Sequence, residues 1–405
     1  MRDSDDVQAG TGPLKGLRVI ELGSIVAASF AARALADLGA EVIKIEAPDK
    51  LDPLREWGQG SVKGRGLWWS VQSRNKKLVT LDLRTARGQE IFLTLCGRCD
   101  VVVENFRPGT LEKWNLGFDA LSQANEGLIL ARISGFGQTG PYSQRPGFAA
   151  VAEAMGGMRY LNGYSKEAPL RLGLSLGDSI SGMFAAQGIL AALYERDRSG
   201  KGQEIDVALT EACLAMMESA IAEYDRLGKV RGRTGTHIPG VVPSNVFKTL
   251  DGKWFVIAAS HARMFESLCD AMGKPELKTD PRFANHASRC EHQDILEAAI
   301  ADWVAELASS DLDLILQRAD VAGGPVYSSE DALADPQFRS RKAFVNHHDE
   351  VIGDFLAQGV VPVFSRTPGT VRWSGPWEAG MHNSEIFEGL LGLNNLDELI
   401  KDNVI

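Results

Sequence analysis

"GLRVIELGSIVAASFAARALADLGAEVIKIE" occupies Gly16 to Glu46. The short apolar run at Arg18–Leu22 reads as a strand, the alanine-rich stretch closed by Gly39 as a helix, and "AEVIKIE" as a second strand ending at Glu46. Strand, helix and strand at this spacing form a βαβ unit of the mononucleotide-binding type. A dinucleotide dehydrogenase would place GxGxxG after the first strand, where this chain has "ELGSIVAAS". The phosphate-cradling glycines are missing, which argues against that class.

The same alternation continues downstream. "KLVTLDL", "DVVVENF" and "LILARIS" read as strands separated by the helical "ARGQEIFLTLC" and a polar helical stretch. A helix from Ser179 to about Tyr194 leads into the strand "GKGQEIDVAL", and "TEACLAMMESAIAEY" carries apolar residues at helical spacing. Short connections between alternating strands and helices predict a parallel, doubly wound α/β sheet. Near Arg226 the character changes to the Gly/Pro-rich "RLGKVRGRTGTHIPGVVPSN". Asp251 and Gly252 then separate two β-rich runs, the strongest hairpin signal in the chain. These shifts divide the chain into a large Rossmann-like domain over residues 1–226, a smaller α+β domain over 227–335, and a C-terminal part over 336–405.

The 405 residues are 44% hydrophobic and 24% charged, an ordinary globular composition. A net charge of -10 disfavours nucleic acid or an anionic membrane surface as the main partner. No run approaches the roughly 20 apolar residues of a bilayer span, and the polar start "MRDSDDVQAGTGPLKG" lacks the basic-then-apolar order of a signal peptide. A cytoplasmic protein is expected. Cys96 and Cys99 form a CxxC, but no second CxxC or close histidine partners it, so the pair reads as buried thiols. The seven histidines show no metal spacing, and neither a metal nor a tightly bound cofactor is expected.

Asp178 stands between Gly177 and Ser179 at the entrance to an apolar helix. Aspartate is a good N-cap, because its carboxylate accepts amides of the first helical turn. The surrounding "GLSLGDSISGMFAAQG" is dense in small residues that let a ligand approach, and a carboxylate in such a setting can attack a carbonyl. Capping and nucleophilic attack are compatible roles. Arg74, Lys76, Lys77, Arg84, Arg107 and Lys113 cluster near predicted strand ends, as a solvated rim or as partners for a phosphorylated ligand. The Gly-rich "SGFGQTGPYSQRPGF", Ser134 to Phe148, follows a strand and is either a plain turn or a binding loop. His347 and His348 should face opposite sides of a strand, and His237 is the one histidine placed for a substrate pocket.

Taken in order, "LKGLRVIELGSIVAASFAARALADLGAEVIKIEAP", "RNKK", "VVVENFRPGTLEKWNLG", "ISGFGQTGPY", "GDSISGM", "GKGQEIDVAL", "GGPVYSSEDALADPQ" and "LLGLNN" resemble the class III coenzyme A transferases over nearly the whole chain. The resemblance implies an interlocked-ring homodimer whose large domain is built from both chain ends. It implies that Asp178 is the nucleophile, acylated by an acyl-CoA to an anhydride and then converted to an aspartyl-CoA thioester. Coenzyme A, bound as a substrate, should contact Val26, Ala27, Leu81, Arg84, Asn105, Phe106, Lys113 and Gly135. Amides near Gly135 and in "RTGTHIPG", which contains Gly235 and His237, are candidates for oxyanion donors and a lid. Arg145 and His237 are placed to meet an acceptor's distal carboxylate. Ala47 stands where some members carry a base, so that phosphate contact is not expected here.

The wider likeness is to transferases that move CoA from succinyl-CoA to hydroxy- or C5-dicarboxylates such as citramalate, malate or glutarate. Two alternatives stand beside it: an α-methylacyl-CoA racemase and a non-catalytic acyl-CoA-binding protein. The racemases carry a catalytic histidine where this chain has Phe148, which disfavours that chemistry.

Overall fold

The structure, a computed structural model, describes residues 11–405. Residues 1–10 of the stretch expected to carry no signal peptide lie outside the described residues. The chain divides into two compact units: the first takes residues through Met158, Leu172–Ala222 and Phe338–Ile405, the second Arg159–Arg171 and Glu223–Gln337.

The first unit is built on six parallel strands: β1 (Arg18–Glu21), β2 (Glu41–Glu46), β3 (Lys76–Thr80), β4 (Val101–Glu104), β5 (Ile129–Ser134) and β6 (Glu204–Ala208). They lie in the order β3-β2-β1-β4-β5-β6. The central strands are apolar on both sides because each face is covered. Ile20, Ile43, Val79, Val102 and Leu130 pack on one face with Phe92, Leu95, Phe387 and Leu399. Val19, Val42, Val101 and Ile129 point the other way, onto the alanines of α1 (Ala27–Asp37) and residues Ala185, Ile189 and Ala192 of a long helix. Phe387 and Leu399 come from the C-terminal part, so both ends of the chain complete one core.

Along the chain, α2 (Ala149–Met155) precedes that long helix, α3 (Leu176–Ser199), and α4 (Leu209–Leu214) follows it. The structure corrects two expectations here. First, α3 begins before Ser179, ends after Tyr194, and contains an 18-residue stretch with a mean hydropathy of 1.2, enough by length and composition to cross a membrane. Glycine, alanine and serine separate its large apolar residues, so no unbroken apolar run marks it in the sequence. Of that stretch 44% is buried, and Ala185, Ile189 and Ala192 pack with the alanines of α1. Second, "TEACLAMMESAIAEY" is not one helix. It ends at Leu214, passes through a turn in which Glu218 has φ +48°, and resumes over Ala220–Leu227.

The second unit holds the antiparallel sheet β7 (Ser244–Lys248), β8 (Trp254–Ala258) and β9 (Ala322–Pro325), with β8 in the middle. The Asp251–Gly252 turn joins β7 to β8, and Gly252 adopts the φ of +79° that glycine tolerates. Val242, Phe247, Phe255, Phe265, Leu296 and Leu312 form its core. The segment Arg159–Arg171 groups with this unit, although the sequence gives it no break within residues 1–226. Its tie is local: Gly235 N–H donates to Gly163 O at 2.9 Å, and Arg233 donates to the carbonyls of Tyr160, Tyr164 and Ser165. Loop-to-loop bonds of this kind leave no periodic signal in the sequence.

Candidate active site

Strand order reverses between β1 and β4, because the chain winds outward from β1 to β3 in one direction and from β4 to β6 in the other. In an open parallel sheet, the crevice beyond the carboxyl ends at such a switch point is the natural ligand site. Two loops flank it, Leu22–Val26 after β1 and Asn105–Phe106 after β4. They are joined: the Asn105 side-chain oxygen accepts from Ser24 N–H at 2.9 Å, and its Nδ2 donates to Ser24 O at 2.9 Å. Val26 and Ala27, which begin α1, are buried, while Asn105 and Phe106 are half-buried. Four of the eight expected CoA contacts therefore meet at this crevice.

Asp178 is brought to the same edge of the sheet by α3. This helix runs antiparallel to the strands: Arg196 near its end pairs with Asp100 at the start of β4 at 3.1 Å, and Gly182 near its beginning lies against Ala27 at the start of α1. A Cβ on Gly182 would stand 2.7 Å from Ala27 O and 3.0 Å from the Phe30 Cβ, so only glycine lets the two helices approach this closely. Asp178 lies inside the first turn of α3 and is half-buried. The N-cap position falls to Ser175, and Gly177 N–H donates to Glu153 of α2 at 3.2 Å. Asp178 therefore stands inside the first turn and not at the N-cap position itself. Burial, and then the negative charges of Glu153 and Asp178, push the nearby Cys213 thiol up to about 11, which keeps it protonated and inert beside them.

The bases expected near strand ends are mostly committed to acids of the same unit. Arg74 pairs with Asp37 at 2.6 Å, Lys76 with Glu21 at 2.7 Å, and Lys77 with both Glu41 and Glu385 at 2.6 Å. Arg84 is exposed and held by Asp82 at 2.7 Å and Asp49 at 2.8 Å, which raises its pKa. They form internal ion pairs instead of an open basic rim. Arg107 and Lys113 are exposed beyond β4. Glu104 ends β4 fully buried, where burial pushes its carboxyl up against the opposing pull of Arg132 at 2.8 Å and the Phe106 N–H at 2.6 Å.

The remaining expected residues spread more widely. Leu81 is buried beyond β3, two strands from β1. Gly135 follows β5, and its loop folds back so tightly that a Cβ there would meet Gly147 Cα at 2.7 Å. Arg145 is exposed and stacks on Tyr142, 3.6 Å from the ring centroid. Gly235 and His237 belong to the second unit, where they line a cavity of about 530 Å³ with Tyr164, Lys166 and Arg233. Cys96 and Cys99 are buried and their thiol pKa values are raised by burial. Among the described residues, no group of three or more His, Cys, Asp or Glu is arranged to hold a metal ion.

Sequence reasoning missed the buried charges beneath the crevice. Lys44 Nζ lies 2.8 Å from Glu21 and 3.0 Å from Asp52, all deeply buried. A signal was available, since Glu21 and Lys44 interrupt the otherwise apolar strands "RVIE" and "EVIKIE". Charges inside parallel strands require partners.

The fold is an open parallel α/β sheet with a crevice at its switch point, where proteins of this architecture commonly hold their ligands. Residues 14–383 match the family model of CoA-transferase family III, and the chain belongs to that family. Succinyl-CoA--D-citramalate CoA-transferase of Chloroflexus aurantiacus is 49% identical over 385 residues, 95% of this chain and 96% of that protein. Succinyl-CoA:glutarate CoA-transferase of Mus musculus is 32% identical over 87% of this chain and 81% of its own. A crystal structure of a CAIB/BAIF family protein from Brucella suis superposes with a TM-score of 0.82 at 32% identity, covering 94% of this chain and 99% of that one. The protein is a transferase acting on CoA thioesters.

Proposed function

We propose that the enzyme moves CoA from succinyl-CoA to a hydroxy- or C5-dicarboxylate, with citramalate as the leading acceptor, through covalent chemistry at Asp178. The observation that carries the reading is the placement of Asp178 in the first turn of α3, at the edge where Gly182 packs against the start of α1. The named activities of the relatives support the choice of donor and acceptor.

In this scheme an Asp178 oxygen attacks the thioester carbonyl, the C–S bond breaks, and an acyl-aspartyl anhydride and CoA thiolate result. The thiolate attacks the aspartyl carbonyl, releasing succinate and leaving an aspartyl-CoA thioester. The acceptor carboxylate displaces the thiolate to form a second anhydride. The thiolate then attacks the acceptor's acyl carbon and frees the Asp178 carboxylate. No net proton is consumed. Positioning carries much of the rate, on the order of 7 to 11 kcal/mol in well-aligned reactions. Excluding water protects the anhydrides. Val26, Ala27, Asn105 and Phe106 at the crevice hold the CoA moiety, with Leu81, Arg84, Lys113 and Gly135 further along it. Arg145, Gly235 and His237 serve the acceptor and the lid.

The working form is a homodimer in the cytoplasm. Phe148, Val151 and Met155 around α2, Met183 and Tyr194 on α3, and Leu214 on α4 are large apolar side chains exposed in the single chain, and a second copy would cover them. Phe148 also argues against proton abstraction, since it supplies no base. The test is incubation with succinyl-CoA and citramalate, with mass detection of citramalyl-CoA and of an adduct on the peptide carrying Asp178. Asp178→Asn should lose more than about three orders of magnitude of turnover and form no adduct while keeping its melting temperature. Near-normal turnover, or an adduct elsewhere, would defeat the assignment; deuterium exchange at an α carbon without acceptor would point to racemisation.

A further inference from the structure

The turn between β1 and α1 contains a backbone conformation that its residue type does not favour. Ile25 has φ +64°, in the left-handed region that β-branched side chains avoid. Something must hold it there, and the structure supplies side chains at four consecutive residues. Lys44 Nζ donates to Gly23 O at 2.6 Å, Asn105 takes both Ser24 N–H and Ser24 O, and Gln72 Nε2 donates to Val26 O at 3.3 Å. Ile25 N–H itself donates to both carboxylate oxygens of Asp52, at 3.0 and 3.1 Å. Asp52 is in turn fixed by Leu54 N–H at 2.9 Å and by Lys44 at 3.0 Å, and Lys44 by Glu21 at 2.8 Å. None of these carboxylates or ammonium groups reaches solvent appreciably.

We propose that Asp52 is a positioning residue: it locks Ile25 in the left-handed conformation and so holds the β1–α1 turn, before any ligand arrives, in the shape that receives the CoA moiety. The inference rests on CoA binding at the switch-point crevice. A buried ionic network beneath a strained turn is an expensive arrangement for stability alone, because apolar residues of similar volume commonly serve as well. Preforming a ligand wall gives the network a purpose: CoA then binds without first ordering the turn.

The test separates this role from simple structural support. Asp52→Asn is close to isosteric but weakens the grip on Ile25 N–H, and should raise the calorimetric Kd for free CoA by about tenfold or more. Turnover at saturating succinyl-CoA should fall by less than roughly threefold. Glycine adopts the left-handed region freely, so in an Ile25→Gly background the same Asp52→Asn change should cost less than about threefold in Kd. A Kd unchanged in Asp52→Asn, or an equal penalty in both backgrounds, overturns the proposal. In the wild-type protein without ligand, hydrogen exchange of the peptide spanning residues 22–27 should already be strongly protected; rapid exchange that slows only with CoA overturns it independently of any variant. Wild-type protein that binds no CoA also overturns it, whereas wild-type protein that binds CoA but transfers none refutes only the reaction proposed above.

Discussion

Gly182→Ala is the smallest perturbation of the contact that carries Asp178 to the crevice. The added Cβ would lie 2.7 Å from Ala27 O and 3.0 Å from the Phe30 Cβ, both on or next to α1 backbone that cannot rotate aside. Restoring ordinary contact requires α1 and α3 to part by roughly half an ångström or more, and overpacking of this kind costs about 1–3 kcal/mol. Replacing a mid-helix glycine by alanine returns about 1 kcal/mol through helix propensity, so the net loss of stability should stay within about 2 kcal/mol. Activity should suffer more. A displacement approaching 1 Å can cost about a hundredfold in rate, so turnover should fall by about one to two orders of magnitude. Gly188→Ala on the same helix is the control: its Cβ would meet only the Ile205 side chain, at 3.1 and 3.7 Å, and that side chain can give way. The assay pairs thermal melts of both variants with initial rates of succinyl-CoA:citramalate transfer. Equal rates for the two would refute the argument that the α1–α3 approach sets the reacting geometry.

Two further outcomes test the framework of the first unit. His347, 2% exposed and stacked on Phe355 with ring centroids 5.0 Å apart, has its pKa lowered to about 4 by burial and then by the Arg74 charge, against the opposing pull of Asp37. The unfolded chain takes up a proton that the folded one refuses, so stability present above pH 6.5 is lost as pH falls toward 4, by about 3 kcal/mol in all. His347→Phe should flatten the urea midpoint between those two pH values, and an unchanged slope would show that His347 is not the group responsible. Phe387, fully buried against the sheet, should cost about 3–5 kcal/mol when replaced by alanine, read from the denaturant midpoint; a loss below about 1 kcal/mol would mean that the C-terminal part does not complete the core.

The parallel sheet was legible because its strands are apolar on both faces and are punctuated by helices at regular spacing. The candidate site was legible in outline for a different reason: the residues after β1 and after β4 fall at the switch point once the strand order is known, and Asp178 stands out as a lone acid among small residues. What the sequence concealed is relational. Nothing local announces that Arg74 and Lys76 would be matched by Asp37 and Glu21, since these partners lie on other elements. The break between Leu214 and Ala220 and the assignment of Arg159–Arg171 to the second unit likewise leave no periodic signal.

Because Phe387 and Leu399 complete the cover on one side of a sheet whose strands are otherwise finished by Ala208, a ribosome making this chain must translate nearly two hundred further codons before that apolar side is fully covered. Part of the oily surface of the nascent strands stays bare throughout that interval. Slow elongation, or a shortage of holding chaperones, should therefore harm the yield of soluble enzyme more than its final stability would indicate.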